Sequence, residues 1–359
     1  MRSPNRLALL GLFALGIGLL TSGCRKHQPA PANEAPPAQG PTATPVAPRN
    51  IPIICMHDLG PQAKNDISIK TADFEQYVKW LHEEGFQTVT AREVAAYLNR
   101  ERDLPEKPIV LTFDDSWRSP LKVAKPILDR YGYVGVAFLI SSSVGANDHK
   151  LSWDDCKTLA QAGWEIGSHG KTHENLTRVP KGRSPESLHA MVKEEIEASK
   201  AEIEANTGLQ VTSFAFPFGN YDTFVMETVK AAGYTAALSI DRSSADEQSD
   251  PLRLPRRMIM NRTSFSTFQR ICRMKALHIA DLNPPPGTRV KGRSVTITGT
   301  LTDTDAAGPT GEVLTTPLEV GFEPTTKKIT SQAKLGRGAN SIALRTPGRE
   351  ASWLVISDD

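Results

Sequence analysis

A chain of 359 residues, 39% hydrophobic and 23% charged, is long enough for a full-sized core plus an appendage and too apolar to be disordered throughout. Its 42 basic and 40 acidic residues leave a formal charge of +2 with no long basic block, which excludes nucleic acid as an electrostatically favoured partner. Four cysteines without a Cys-x-x-Cys pair argue against a thiolate zinc site.

In chain order, Arg2 and Arg6 precede an apolar run from Leu7 to Leu20, short for a membrane span, and the small residues Ser22 and Gly23 lead into Cys24. Residues 1–24 resemble a bacterial lipoprotein signal, with Thr21 at the place where such signals usually carry Leu. The resemblance implies export to the bacterial cell envelope and a membrane anchor through lipidated Cys24, in a leaflet the signal does not specify. Cys55, Cys156 and Cys272 then allow at most one disulfide. Residues 25–50 ("QPAPANEAPPAQGPTATPVAPRN" and its flank) hold almost no large apolar side chain, so an extended tether is expected.

From Ile51 to Leu277 short apolar runs alternate with helical periods. "IPIIC" (51–55), "FQTV" (86–89), "PIVLTF" (108–113), "VGVAFLI" (134–140), "GWEIGSH" (163–169), "SFAFPF" (213–218) and "TAALSI" (235–240) predict buried strands. Phe74, Tyr77, Val78 and Leu81 mark one helix face, and Val192, Ile196, Ser199 and Ile203 another on a longer, charged helix. Thr90 with Glu93 reads as a capping box, and Asp222 as the cap of a helix starting near Thr223. Strand alternating with helix predicts an α/β fold, either a closed barrel or a doubly wound sheet. Beyond Leu277, "SVTITGTL", "PLEVGF", "NSIALRT" and "SWLVIS" alternate with period two between Gly, Pro and Thr turns, so residues 278–359 are expected to form a small all-β, sandwich-like accessory domain.

Polar groups collect where the predicted strands end, which in parallel α/β folds is where ligands bind. His57 and Asp58 follow the first strand, Asp114 and Asp115 the third, His169 the fifth, and Pro217 and Gly219 the sixth. His169 and His173, with Asp115, supply two imidazoles and one carboxylate, a ligand count that leaves a metal position open for chemistry. Adjacent Asp114 can share that site only if the chain bends as the strand ends, and would then accept a proton. For the Asp pair taken alone a solvated surface turn is the better account of the sequence, and the two histidines reverse that order.

"TFDD", "SHGKTH" and "FAFPFGNYD" are similar to the successive motifs of the polysaccharide deacetylases, the NodB-homology or carbohydrate esterase family 4 domain, over residues 51–277. That resemblance implies a distorted (β/α) barrel, with Asp115, His169 and His173 as ligands of a divalent metal, usually Zn2+ (Co2+ or Ni2+ as alternatives), and Asp114 as the base. The early "ICMHDLG" resembles the segment found in poly-N-acetylglucosamine deacetylases, whose motif order is circularly shifted, and this makes His57 the acid. Two departures stand out. The family's motif Arg is replaced by Ala215, for which Arg256 is the candidate substitute, and there is no Leu-x-His motif before the β region; His278 falls at its start. By the same resemblance the Phe218 N–H contributes to an oxyanion site, with Pro217, Tyr221 and Arg256 on the substrate side and Trp153, Phe216 and Tyr221 as aromatic groove candidates.

The implied reaction is metal-dependent removal of N-acetyl groups from an N-acetylglucosamine-containing envelope or extracellular polysaccharide. The alternatives are peptidoglycan or O-acetyl-sugar deacetylation at the same site, a non-catalytic glycan-binding lipoprotein, and hydrolysis of a different bond such as a cyclic amide.

Overall fold

The computed structural model describes residues 47–179, 184, 186–305 and 307–358, so the signal-like segment 1–24 and nearly all of the tether 25–50 lie outside the described residues. Eight strands form one sheet: β1 Ile53–Met56, β2 Gln87–Thr88, β3 Pro108–Phe113, β4 Val136–Leu139, β5 Glu165–Ser168, β6 Ser213–Ala215, β7 Ala236–Leu238 and β8 Arg257–Met258. Every pairing is parallel, in the order β8-β1-β3-β4-β5-β6-β7, with β2 on the start of β3. Leu254 bridges Leu238 of β7, so the segment 254–258 touches both edges of the sheet and brings it round into a distorted (β/α) barrel.

Helices cover the sheet, and its central strands are buried along their whole length, which is why they read as continuous apolar runs. Neighbouring residues nonetheless serve opposite faces: Ile54, Leu111 and Phe214 pack in one core, Ile53, Val110 and Ala215 in the other. The helix Thr71–Glu83 buries Phe74, Tyr77, Val78 and Leu81 as its spacing predicts. Both halves of the Thr90–Glu93 capping box form, and Asp222 accepts the Val225 N–H at 2.9 Å. The longer charged helix runs from Glu186 to Thr207 with a π-helical stretch at Glu194–Ala198. The sixth predicted strand is shorter than expected. It stops at Ala215, because Pro217 has no N–H for a ladder and opens a 3-10 turn, Pro217–Gly219.

From Lys275 onward the chain forms two further sheets. One combines Gly338–Thr346 with Arg349–Ser357, Thr310–Val313 and Thr316–Leu318; the other combines Ile279–Asn283, Ser294–Leu301, Gly321–Glu323 and Lys328–Lys334. Ile297, Ile329, Ile342, Leu344, Trp353 and Val355 fill the space between them. "PLEVGF" is not one strand: Thr316–Leu318 and Gly321–Glu323 belong to different sheets, and the chain crosses between them at Glu319 and Val320. Cys55, Cys156 and Cys272 are all buried and free.

Candidate active site

The ends of β1, β3, β5 and β6 converge on one cluster. β3 finishes at Phe113, and Asp115 and Ser116 then adopt left-handed φ values of 70° and 57°. This is the bend that lets adjacent carboxylates share a site instead of pointing to opposite faces. It is held from two sides. Lys150 Nζ donates to the Asp115 carbonyl at 2.7 Å, and the Ser116 hydroxyl accepts the Ile140 N–H at 2.9 Å.

β5 delivers His169, and the following turn, with His173 at φ 66°, returns a second imidazole. Their Nε2 atoms each lie 3.6 Å from Asp115 Oδ1. The His169 Nδ1–H donates to the Ala215 carbonyl at 2.7 Å, which fixes the tautomer and leaves the Nε2 lone pair facing the carboxylate. Burial pushes His169 down to about 4, against the pull of Asp114, so the ring is neutral and able to ligate at ordinary pH. Asp115 Oδ1 is itself buried with no hydrogen-bond partner. A buried carboxylate oxygen without a donor, facing two imidazole lone pairs, fits a divalent metal ion and fits little else.

Asp114 sits deeper, 2% exposed. Burial alone would raise its pKa, but Arg256, then His169 and His57, outweigh burial and hold the carboxyl well below the usual carboxylate range. Arg256 Nη1 donates to Asp114 Oδ1 at 2.8 Å and to the Thr112 hydroxyl at 3.0 Å, while its Nε donates to the Ser239 carbonyl at 3.0 Å. The Cys55 thiol lies 3.4 Å from the other oxygen, Oδ2, which is also 3.7 Å from His169 Nε2. His57 belongs to the same corner: Cys55, His57 and Asp114 each offer a ligand-type atom within 4.8 Å of the others, and His57 Nδ1 is buried without a partner.

Five residues expected on the substrate side or in a sugar groove lie elsewhere. Arg256 is 1% exposed and pairs with Asp114, as expected of a substitute for the motif Arg, and does not face substrate. Pro217 is buried against the Gly170 turn and has no N–H to offer. Tyr221 is fully buried, donating to Asp241 Oδ2 at 2.7 Å and accepting the Leu354 N–H at 3.3 Å, so it joins barrel to sandwich and lines no groove. Phe216 is core as well, and Trp153 packs half-buried on the main core. Phe218 is different: at φ 59° it stands 54% exposed, its ring centroid 4.5 Å from that of His173.

Sequence reasoning missed the groups that hold the site in shape. Glu195, 3% exposed on the π-helical stretch, accepts the Thr172 N–H at 2.9 Å and so pins the loop between the two histidines. Its signal was a glutamate on the apolar side of a charged helix. Cys55, Lys150 and Ser116 carried no signal that singles them out.

Residues 101–237 match the sequence profile described as polysaccharide deacetylase. The chain is 28% identical over 221 residues to the Bacillus subtilis protein YxkH, named for the same family, covering 62% of this chain and 75% of that protein. It is 24% identical over 197 residues to a Staphylococcus aureus poly-beta-1,6-N-acetyl-D-glucosamine N-deacetylase, covering 54% of this chain and 68% of that one. In fold it is similar to the Streptococcus pyogenes deacetylase PplD in complex with acetate, with a TM-score of 0.56 at 21% identity over 63% of this chain and 99% of that chain. The strand-end cluster and the barrel thus coincide with a match over residues 101–237 to the polysaccharide deacetylases of the NodB-homology type, a family of hydrolases that act on carbon–nitrogen bonds.

Proposed function

We propose that this protein is a metal-dependent deacetylase that hydrolyses the N-acetyl groups of an N-acetylglucosamine polymer, and that Asp115, His169 and His173 hold its divalent ion, most simply Zn2+. The observation that carries this is the partnerless Asp115 Oδ1 facing two imidazole nitrogens at 3.6 Å. When bound, such an ion supplies Lewis acidity, polarising an acyl carbonyl and acidifying water.

The chain's own residues supply the rest. Arg256 occupies Asp114 Oδ1 and leaves Oδ2, on the His169 side, as the oxygen that takes a proton from the attacking water. The low pKa of Asp114 keeps it ionised throughout the working range but makes it a weak base, so it depends on an acidified water. As a C–O bond forms and the C–N bond breaks, His57 returns a proton to the departing sugar amine, and acetate leaves. The position of Phe218 on a left-handed turn beside His173 supports its N–H as the donor to the developing oxyanion. The lipoprotein-like segment and Cys24 support an envelope location for the reaction, with the tether 25–50 holding the barrel off a membrane. The poly-N-acetylglucosamine deacetylase among the relatives supports a β-1,6-linked substrate.

The test is acetate release from β-1,6-linked N-acetylglucosamine oligomers by the purified protein with zinc or cobalt. Release that chelator abolishes and metal restores supports the reading. A metal-loaded protein that releases no acetate from these oligomers but does so from peptidoglycan moves the substrate and keeps the chemistry; a protein that binds no metal contradicts both.

A further inference from the structure

Among the described residues two large hydrophobic side chains are exposed, Phe218 at 54% and Leu314 at 47%. They border the same cavity, of about 450 Å3, within the usual range for small-ligand sites. Phe218 comes from the barrel and reaches His173; Leu314 comes from the hairpin between Thr310–Val313 and Thr316–Leu318 of the sandwich. One wall of the cavity, Phe218, therefore packs against His173 of the candidate metal site, and another wall belongs to the accessory sheet.

Both residues occupy left-handed backbone, φ 59° and 56°, where glycine or asparagine is the ordinary choice. Neither turn is free to relax. A Cβ on Gly219, next to Phe218, would meet Ile240 Cγ1 at 2.1 Å, and the Leu314 N–H donates to the Ser341 carbonyl at 2.7 Å. Two strained turns thus present bare apolar side chains across one cavity, an arrangement that gives the fold nothing and suits a ligand with an apolar face.

The charge around the cavity narrows the ligand. Arg242 and Arg257 line it, and with Arg345 they share two carboxylates among the described residues, Glu312 and Glu350. Asp241, also in the wall, is already taken by Arg253 at 3.3 Å and by the Tyr221 hydroxyl. Three guanidinium groups against two carboxylates leave a positive surplus, which disfavours a cation. Met258 and Ala339 add apolar surface, and Asn220 adds a polar amide.

Resting on the deacetylase reading above, we propose that this cavity is the subsite for the sugar next to the one being deacetylated, and that it accepts a neutral N-acetylhexosamine in preference to a cationic glucosamine. The C–H face of the pyranose lies on Phe218 and Leu314. An enzyme so built removes acetyl groups where the neighbouring unit is still acetylated, and spaces them along the polymer.

Leu314→Gly tests this, because glycine suits the left-handed turn and removes only the side chain. Acetate release is measured for the zinc-loaded full chain and the variant on N-acetylglucosamine monomer and its β-1,6-linked pentamer, with a pentamer pre-converted to free amines at alternate units as third substrate. The expected result is that the wild-type protein prefers the pentamer, that Leu314→Gly lowers the pentamer-to-monomer ratio of kcat/KM by about three- to tenfold, and that the alternately deacetylated pentamer is the poorer pentamer. An unchanged ratio in the variant, or a wild-type protein indifferent to length, overturns the subsite and leaves the deacetylase reading standing. No acetate from any of the three substrates overturns that reading and the subsite with it.

Discussion

The strand-end cluster of the barrel and the C-terminal sandwich obey different rules. Along Lys328–Lys334 exposed and buried residues alternate without a break, and the sandwich core is apolar. The catalytic end departs from such rules repeatedly. Asp115, Ser116, His173 and Phe218 are four of the eight non-glycine residues at positive φ among the described residues, and Asp114, His169 and Arg256 are ionisable groups nearly sealed from water. Strain and buried charge gather most densely at the catalytic end, while the sandwich has its own exceptions in left-handed Leu314 and buried Glu350.

Substitutions can sharpen or break that contrast. Arg256→Met leaves Asp114 buried without its cation, and stability is expected to fall by about 3–5 kcal/mol in urea unfolding, with acetate turnover lost as well. Trp353→Ala, opening a cavity in the sandwich, is expected to cost a similar ~3–5 kcal/mol by the same measurement. If Arg256→Met proves stability-neutral, the buried pair is not the anchor described here.

A smaller effect concerns the contact between barrel and sandwich. His278 lies between Asp246 on the barrel side, 2.7 Å from Nε2, and Asp303, 3.0 Å from Nδ1. Hydrogen bonds to Asp246 and then Asp303 outweigh partial burial and push it up to about 9. Its folded pKa is thus above its unfolded value near 6.5, so its stabilisation is complete below that value and lost as pH rises through about 9. After solvent screening this amounts to about 1–2 kcal/mol. Melting temperature followed from pH 6 to 10 should show the loss, and His278→Gln should flatten it. The smallest expected effect is Phe218→Gly, which relieves a left-handed phenylalanine: a gain of about 0.5–1 kcal/mol in thermal unfolding, together with a fall in kcat/KM.

Much of this was legible in the sequence. Strand ends mark where ligands gather, so His57, Asp114, Asp115 and His169 were placed together from the ends of three apolar runs, and the shared Asp pair required a bend that the structure supplies at Asp115. The capping residues Thr90 and Asp222 were readable because capping is local. What escaped was set by tertiary closure. Arg256 meets Asp114 across 142 residues of chain only because the segment 254–258 closes the barrel. Tyr221 reads as a groove aromatic in the sequence, but it is buried and its hydroxyl accepts the Leu354 N–H from 133 residues away in the chain. The cavity wall from Leu314 depends on a hairpin in a separate sheet, which no local pattern connects to the strand-end cluster.

The central claim is a division of labour between adjacent carboxylates, Asp115 holding the metal and Asp114 moving the proton. It is tested most directly by measuring bound zinc per chain and acetate turnover side by side in Asp114→Asn and Asp115→Asn. The account predicts that Asp114→Asn keeps about one zinc per chain while turnover falls about 10²- to 10⁴-fold, and that Asp115→Asn loses the zinc. Loss of zinc from the Asp114 variant, or its retention by the Asp115 variant with turnover intact, would contradict it.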